Sequence, residues 1–514
     1  MFNPEDLAKL QDKDLWAAFD SAEEDSEKLE IYSVLKDRLW DKEDYNTIIG
    51  LSDRMCEIAE NAEEFELAGA HRYTQGSAHF NIDSFSEAAH AYGLAAKAAA
   101  ELGDQGKIAK SLWAKADSFF CLDQFSDALE TALESANLAK ADGQESLTGR
   151  SMFLYAKSLY RLDRDEEAIT ALEETRDHFR NAGESDKVAE VDDYRAKVLE
   201  YLDRNSEANE YLRACLLIWE SRKNNQWIAY TCRRLGWNLK KLNLYKEAIE
   251  YFEAAKKKYL EIDDISEIPE CEFGLGDSYQ DMGEHEKAIQ YFSQARALAD
   301  ANGNDNITIR SDMLRAVSLH NLERYQDARN LNFRILQYLE TKQDADFNDE
   351  IYLARTRAAD NALQMENWAD AFQILSEGNI NPEFVPRTQI LIWRMSIRAR
   401  ALYSLGREDE AFAEVDSALK LTTDEFENWV TAYLYEIRGQ VLLHKNKREG
   451  SRDLAHSIAL HLANNQDEQA RKLSIHFMPS HEETFSLDST SSDVDRSEIL
   501  GKSPTHNSSS RENS

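Results

Sequence analysis

Alanine recurs in this chain at a fixed step of forty residues: Ala88, Ala128, Ala168, Ala208, Ala248, Ala288 and Ala328. After a shift of three residues the series resumes at Ala371 and Ala411, then lapses to Ser451. A second series of small residues runs twelve positions earlier: Gly76, Ala116, Ala156, Ala196, Gly236, Gly276, Ala316, Ala359, Ala399 and Gly439. Between the two series lie an apolar residue and a turn former, as in Ile82-Asp83, Leu122-Asp123, Leu162-Asp163, Leu202-Asp203 and Leu242-Asn243. Asp and Asn suit a turn that leaves helical geometry and caps the next helix. From Cys232 to Tyr259, Leu235, Gly236 and Leu239 share one helix face, and Tyr245, Ala248 and Phe252 share a face of the next. One small residue on each helix lets the two axes approach closely. A hairpin repeated at a constant step buries its remaining face on its neighbours, so the chain is an array of repeats.

The spacing small–x2–apolar–x8–Ala–x3–aromatic resembles the tetratricopeptide repeat, best in Gly274 to Phe292, GLGDSYQDMGEHEKAIQYF. The resemblance covers about residues 30 to 465. It implies an all-α fold: a right-handed α-solenoid of about ten to eleven helical hairpins with a disordered C-terminal tail. The family's usual unit is about 34 residues. The longer unit here is expected to come from helices nearly a turn longer, as in the long-repeat branch of the family.

Along the chain, residues 1–27 read as a leader whose Leu7, Leu10, Leu15, Trp16 and Phe19 form an apolar stripe that caps the array. Residues 28–66 read as a degenerate first hairpin, with Lys36 in place of the small residue. Regular repeats run over 67–339, and three less regular ones with a C-terminal cap over 340–472. Gly103, Gly143, Gly183 and Gly303 mark left-handed helix ends between repeats, and Pro269 opens a helix. The rhythm slips at 341–350 and again at 376–389, around Pro382 and Pro386, which reads as a hinge or ordinary loop variation. From 473 onward the chain is Ser-rich and aperiodic, the pattern of a disordered tail.

The start, MFNPEDLAKL, has neither the basic region nor the apolar run of a signal peptide, and no stretch is apolar enough to span a membrane. Cys56, Cys121, Cys215, Cys232 and Cys271 are odd in number and lack metal or redox spacing, so they read as free thiols in a reducing, cytoplasmic protein. Lys and Arg number 60 against 96 Asp and Glu, a net charge of −36, which disfavours nucleic acid and anionic membrane as partners.

No P-loop, HExxH, GxSxG or kinase set occurs. Gly274-x-Gly276 opens a GxGxxG only superficially, because Tyr279 stands at the third glycine. His456 and His461 are five apart, which does not align two ligands on a helix face. The expectation is therefore no enzyme, no cofactor and no metal site. The resemblance implies instead a concave groove lined by the first helix of each repeat, commonly used to bind peptides. Groove positions carried over from the family give an aromatic zone of Tyr73, Phe80, Trp113, Phe120, Phe153 and Tyr160. They also give a basic zone of Lys157, Arg161, Lys197, Tyr201, Arg233, Trp237, Lys240 and Lys241. The family's carboxylate clamp is not reproduced, since Ser77 and Asp117 stand where its asparagine is expected. Lys256, Lys257 and Lys258 read as a solvated face of a second helix. The expected function is a scaffold or adaptor binding a protein or peptide in the groove, with the basic zone favouring an acidic or phosphorylated segment. The alternative is a signalling receptor whose superhelix changes shape on binding a small peptide.

Overall fold

The computed structural model describes residues 7, 9–342, 347–376, 387–422, 429–464 and 466–477. Among them every regular element is a helix, 24 in all, and the fold is an α-solenoid of antiparallel helical hairpins. The chain divides into two compact units, one ending at Arg324 and one beginning at Tyr325.

In the first unit the helices keep strict time. From Tyr45–Asn61 to Tyr245–Glu261, successive helices begin at Tyr45, Phe65, Phe85, Gln105, Phe125, Glu145, Asp165, Ser185, Asn205, Asn225 and Tyr245. Nearly all are 17 residues long. A turn of the same kind joins every pair. Asp83, Asp123, Asp163, Asp203 and Asn243 have φ between 57° and 61°, and Gly103, Gly143, Gly183 and Gly303 between 68° and 75°. The left-handed residue lets the next amide reach back to the last turn, as Ser84 N–H does to the His79 carbonyl at 2.9 Å.

The turn acids therefore end one helix and do not cap the next, contrary to the sequence expectation. They fall one residue too early: Ser84, Gln124 and Arg164 hold the N-cap positions, and their side chains make no capping bond. In the regular repeats side-chain caps occur instead between repeats, where Asp104, Asn224 and Asn304 accept from the amides of Lys107, Trp227 and Ile307; within hairpins Asp44 and Asn446 cap in the same way. Pro269 sits in the first turn of helix Ile268–Asp281, where its missing N–H leaves nothing unpaired.

Every alanine of the forty-residue series, from Ala88 to Ala411, is fully buried. The earlier small series answers the residue four positions after that alanine. A Cβ on Gly76 would stand 2.8 Å from the Tyr92 ring, on Gly236 2.8 Å from Phe252, and on Gly276 2.8 Å from Phe292. Where alanine replaces the glycine, as at Ala116, Ala156 and Ala196, the facing residue is the smaller Ala132, Leu172 or Leu212. Glycine thus faces a ring and alanine a leucine, a trade of size across the gap that close packing demands, while Ala116 and Ala132 share theirs with Leu154.

Helix Asp12–Ser21 lays Leu15 and Phe19 on Ile31, Tyr32, Leu35 and Met55, covering the first hairpin. The second unit has its own core, with Ala371, Ile374 and Leu375 packed with Ile397 and Ala401, and Val415 and Ala418 with Leu434 and Ile437. Its last helix, Asp467–Phe477, runs past residue 473, so the tail begins later than the composition suggests. Residues 478–514 and both proline positions of the second irregular stretch lie outside the described residues. The triplet at 256–258 is not simply solvated: Lys256 bonds Glu272 at 2.5 Å and Lys258 bonds Glu261 at 2.7 Å.

Candidate functional site

In the first unit, the first helices of adjacent repeats approach one another: Gln105–Cys121 meets Glu145–Arg161, and Ile268–Asp281 meets both Asn225–Lys241 and Asp305–Asn321. The residues carried over from the family all stand on first helices of this kind, whose shared face we call the inner one.

The aromatic members pack chiefly on rings outside their own set. Tyr73 lies against Tyr92 at 5.1 Å between ring centroids, and Phe80 meets Phe85 edge-on at 5.1 Å across the turn. Trp113 covers the gap above Ala88, Tyr92 and Ala116. Phe120 meets Phe125 at 5.4 Å. Ser77, at one clamp position, bonds the Tyr92 hydroxyl at 3.1 Å, so it braces a core ring. Asp117, at the other, has its pKa raised by burial, a shift that Lys157 opposes.

The basic members divide into two groups. Four are committed to carboxylates of neighbouring repeats: Arg161 to Asp123 at 3.1 Å, Arg233 to Glu267 at 3.3 Å, Lys240 to Asp277 at 2.6 Å and Asp281 at 3.1 Å, and Lys241 to Asp203 at 4.0 Å. Burial alone would lower the pKa of Lys240, but its bonds to Asp277 and Asp281 outweigh it and hold the ammonium above its ordinary value. Arg234, next to a predicted residue, joins Asp193 and Glu200 of the preceding repeat. Trp237 is a core ring, 5.1 Å from Phe252 and 6.1 Å from Phe273. This stretch of the face is laced shut.

Lys157 and Lys197 have no carboxylate ion pair among the described residues. The Lys157 ammonium stands 4.5 Å from the centre of the Phe153 ring and 6.0 Å from that of Tyr194; Lys197 stands 5.8 Å from Tyr160 and 5.5 Å from Tyr194. Such distances are those of cation–π contacts. Burial lowers the Lys157 pKa, against the pull of Asp117 and Glu190. Tyr160 packs edge-on against Tyr194 and Tyr201, both at 5.8 Å, and Tyr201 is 65% exposed. Tyr194, at the centre of this cleft, was not singled out from the sequence. It lies two residues before Ala196, one position off the transferred register, and its forty-residue counterparts Thr74, Ala114, Leu154 and Arg234 gave no aromatic signal.

Comparison with known proteins agrees with this geometry. A tetratricopeptide repeat family model matches residues 229–257 and 273–302, and a second tetratricopeptide repeat model matches 150–182. No curated protein matches the sequence. Among solved structures, the apo form of the quorum sensor NprR from B. thuringiensis is similar at 15% identity over 71% of this chain and 100% of its own, with a TM-score of 0.43. Aspartyl phosphate phosphatase F from Bacillus subtilis is similar at 14% identity over 69% and 94%, with a TM-score of 0.42. A tetratricopeptide repeat protein from Parabacteroides merdae is similar at 16% identity over 56% and 98%, with a TM-score of 0.39. None of these likenesses bears on what this chain binds. The repeat models fall on hairpins whose small residues, turns and fillers recur as described, so the chain contains tetratricopeptide repeats.

Proposed function

We propose that this chain is a non-enzymatic interaction protein that holds an acidic or phosphorylated segment of a partner against the inner face of its first unit. The observation that carries this reading is the cleft between helices Glu145–Arg161 and Ser185–Tyr201, where Lys157 and Lys197 flank Tyr194 without carboxylate partners among the described residues. In a chain of net charge −36, two cations without a salt bridge among the described residues, beside an exposed tyrosine, supply charge for an anion and apolar area for its neighbours. Phe153, Tyr160 and Tyr201 would be the anchors. Arg161, Arg233, Lys240 and Lys241 would act one step back, by fixing the spacing of the repeats that frame the cleft. Five unpaired cysteines, four of them buried, suit a reducing compartment such as the cytoplasm.

The test is affinity capture from native extract, comparing wild type with Lys197→Glu/Tyr201→Ala, both on exposed side chains. The expected result is loss of a partner from the variant alone, with binding to wild type weakening as salt rises. Capture of the same proteins by both would overturn the reading. No captured protein with either, together with a small peptide recovered from the purified chain, would favour a ligand-responsive receptor.

A further inference from the structure

A cavity of about 250 Å³ opens in the first unit between helices Phe65–Asn81, Phe85–Glu101 and Gln105–Cys121. Its floor is Ala95 and Ala99, its sides are Gly69, Tyr73 and Leu102, and Lys110 stands at its edge.

The repeat register explains why this gap is empty. The position of Ala99 is taken by Phe179, Trp219 and Tyr259 in three later repeats. In the first of these, the Phe179 ring lies 3.0 Å from where a Cβ on Gly149 would be, and Gly149 is the counterpart of Gly69. Where alanine recurs at this register, as Ala139 and Ala299, the next helix carries Leu147 and Ile307 in place of Lys107, and Ile307 packs in one cluster with Ala299. The Gly69 repeat combines a small floor with a polar residue at this place: Lys107 lines the cavity beside Glu66 and bonds it at 2.8 Å and Asp104 at 3.3 Å, so no apolar side chain fills the gap. The hollow is therefore shaped by the absence of a ring that the chain itself supplies elsewhere. Lys110 holds its ammonium 4.7 Å from the centre of the Tyr73 ring and has no carboxylate ion pair among the described residues.

We propose that this cavity takes an aromatic side chain of a bound peptide, with an acidic group beside that ring meeting Lys110. The proposal rests on the reading that the inner face binds a partner segment, and it adds a second anchor, two repeats before the Lys157–Lys197 cleft. The ring would fill the gap between the alanine floor and Gly69, and the adjacent carboxylate would pair with the cation left over Tyr73.

The probe is N-acetyl-Asp-Phe amide, titrated into the full chain by saturation-transfer NMR beside N-acetyl-Lys-Phe amide and N-acetyl-Asp-Ala amide. The Asp-Phe probe is expected to bind saturably, about tenfold more tightly than either control. Ala99→Phe, which installs the chain's own later solution, should abolish binding while keeping or raising the Tm. Lys110→Glu, on the rim, should weaken it about tenfold. No saturable binding of the Asp-Phe probe, undiminished binding in folded Ala99→Phe, or equal binding in Lys110→Glu would each overturn the proposal. Capture by the Lys197→Glu/Tyr201→Ala protein separates the two readings. A partner lost there with no probe binding removes the cavity alone. Probe binding with an unchanged set of captured proteins removes the cleft alone.

Discussion

The hairpin Phe65–Asn81/Phe85–Glu101 and the hairpin Asn225–Lys241/Tyr245–Glu261 have the same helix lengths, the same left-handed turns and the same glycine-on-ring contact, yet they are closed by different means. In the later hairpin, Phe252 is wedged between Gly236 and Gly274, Tyr259 fills the gap that Ala99 leaves open in the earlier one, and Lys240 ties the front to Asp277 and Asp281. In the earlier hairpin, Tyr92 meets one glycine, Gly76, and Tyr73 at its front meets Lys110 of the next repeat by a ring contact, with no ion pair at that lysine among the described residues. The difference teaches that forty-residue periodicity fixes the backbone and leaves the filling free. One hairpin spends its filling on rigidity, and the other keeps a gap.

The comparison can be broken at three points. The largest expected effect is Phe252→Ala, which opens a cavity flanked by two glycines and should cost about 3–5 kcal/mol in urea unfolding. Tyr92→Ala should cost less, because one glycine rather than two abuts that ring. Equal losses would mean the two hairpins are packed alike.

The second point is acid. His71, in the earlier hairpin, lies edge-on to Tyr32 at 5.1 Å, and burial, helped by Lys36, lowers its pKa from 6.5 to about 4. Between those values the unfolded chain binds the proton and the folded chain does not. Its contribution is therefore present above pH 6.5 and is lost as pH falls towards 4, by about 3 kcal/mol at most. His71→Gln should flatten that limb of the stability–pH curve, measured by thermal melts from pH 7 to pH 4.

The third and smallest is alkali. The Lys240 pKa is raised, so its contribution is complete below the ordinary lysine value of 10.5 and is lost as pH rises through the folded value. Lys240→Met should cost about 1–3 kcal/mol at neutral pH by leaving Asp277 and Asp281 without their cation, and should flatten the alkaline limb. For the same reason, charge reversal at Arg233 or Lys240 reports on repeat stacking before it reports on binding.

Much of the fold was legible because it rests on local, periodic demands. Ala248 and Gly236 are small since two helix axes pass close there, and Gly103 is glycine at a left-handed helix end; each reason repeats at the same step. The pairing of Gly76 with Tyr92 and of Ala156 with Leu172 could also have been read, as two series whose sizes trade off sixteen residues apart. The candidate site was legible only as a face. Transfer by register found Lys157, Lys197, Tyr160 and Tyr201, but it also gathered Arg233, Lys240 and Trp237, which the structure commits to neighbouring repeats.

The sequence by itself determined that the repeats are helical and, in the regular ones, where the helices end and which side faces the partner, because those properties follow from residues within one hairpin. Only the tertiary structure decided which cations stay unpaired and which gap stays open. Both depend on side chains about forty residues apart meeting across adjacent repeats. Lys240 finds Asp277 while Lys197 finds only the tyrosine rings, and Ala99 shares its cavity with a Lys107 that bonds Glu66.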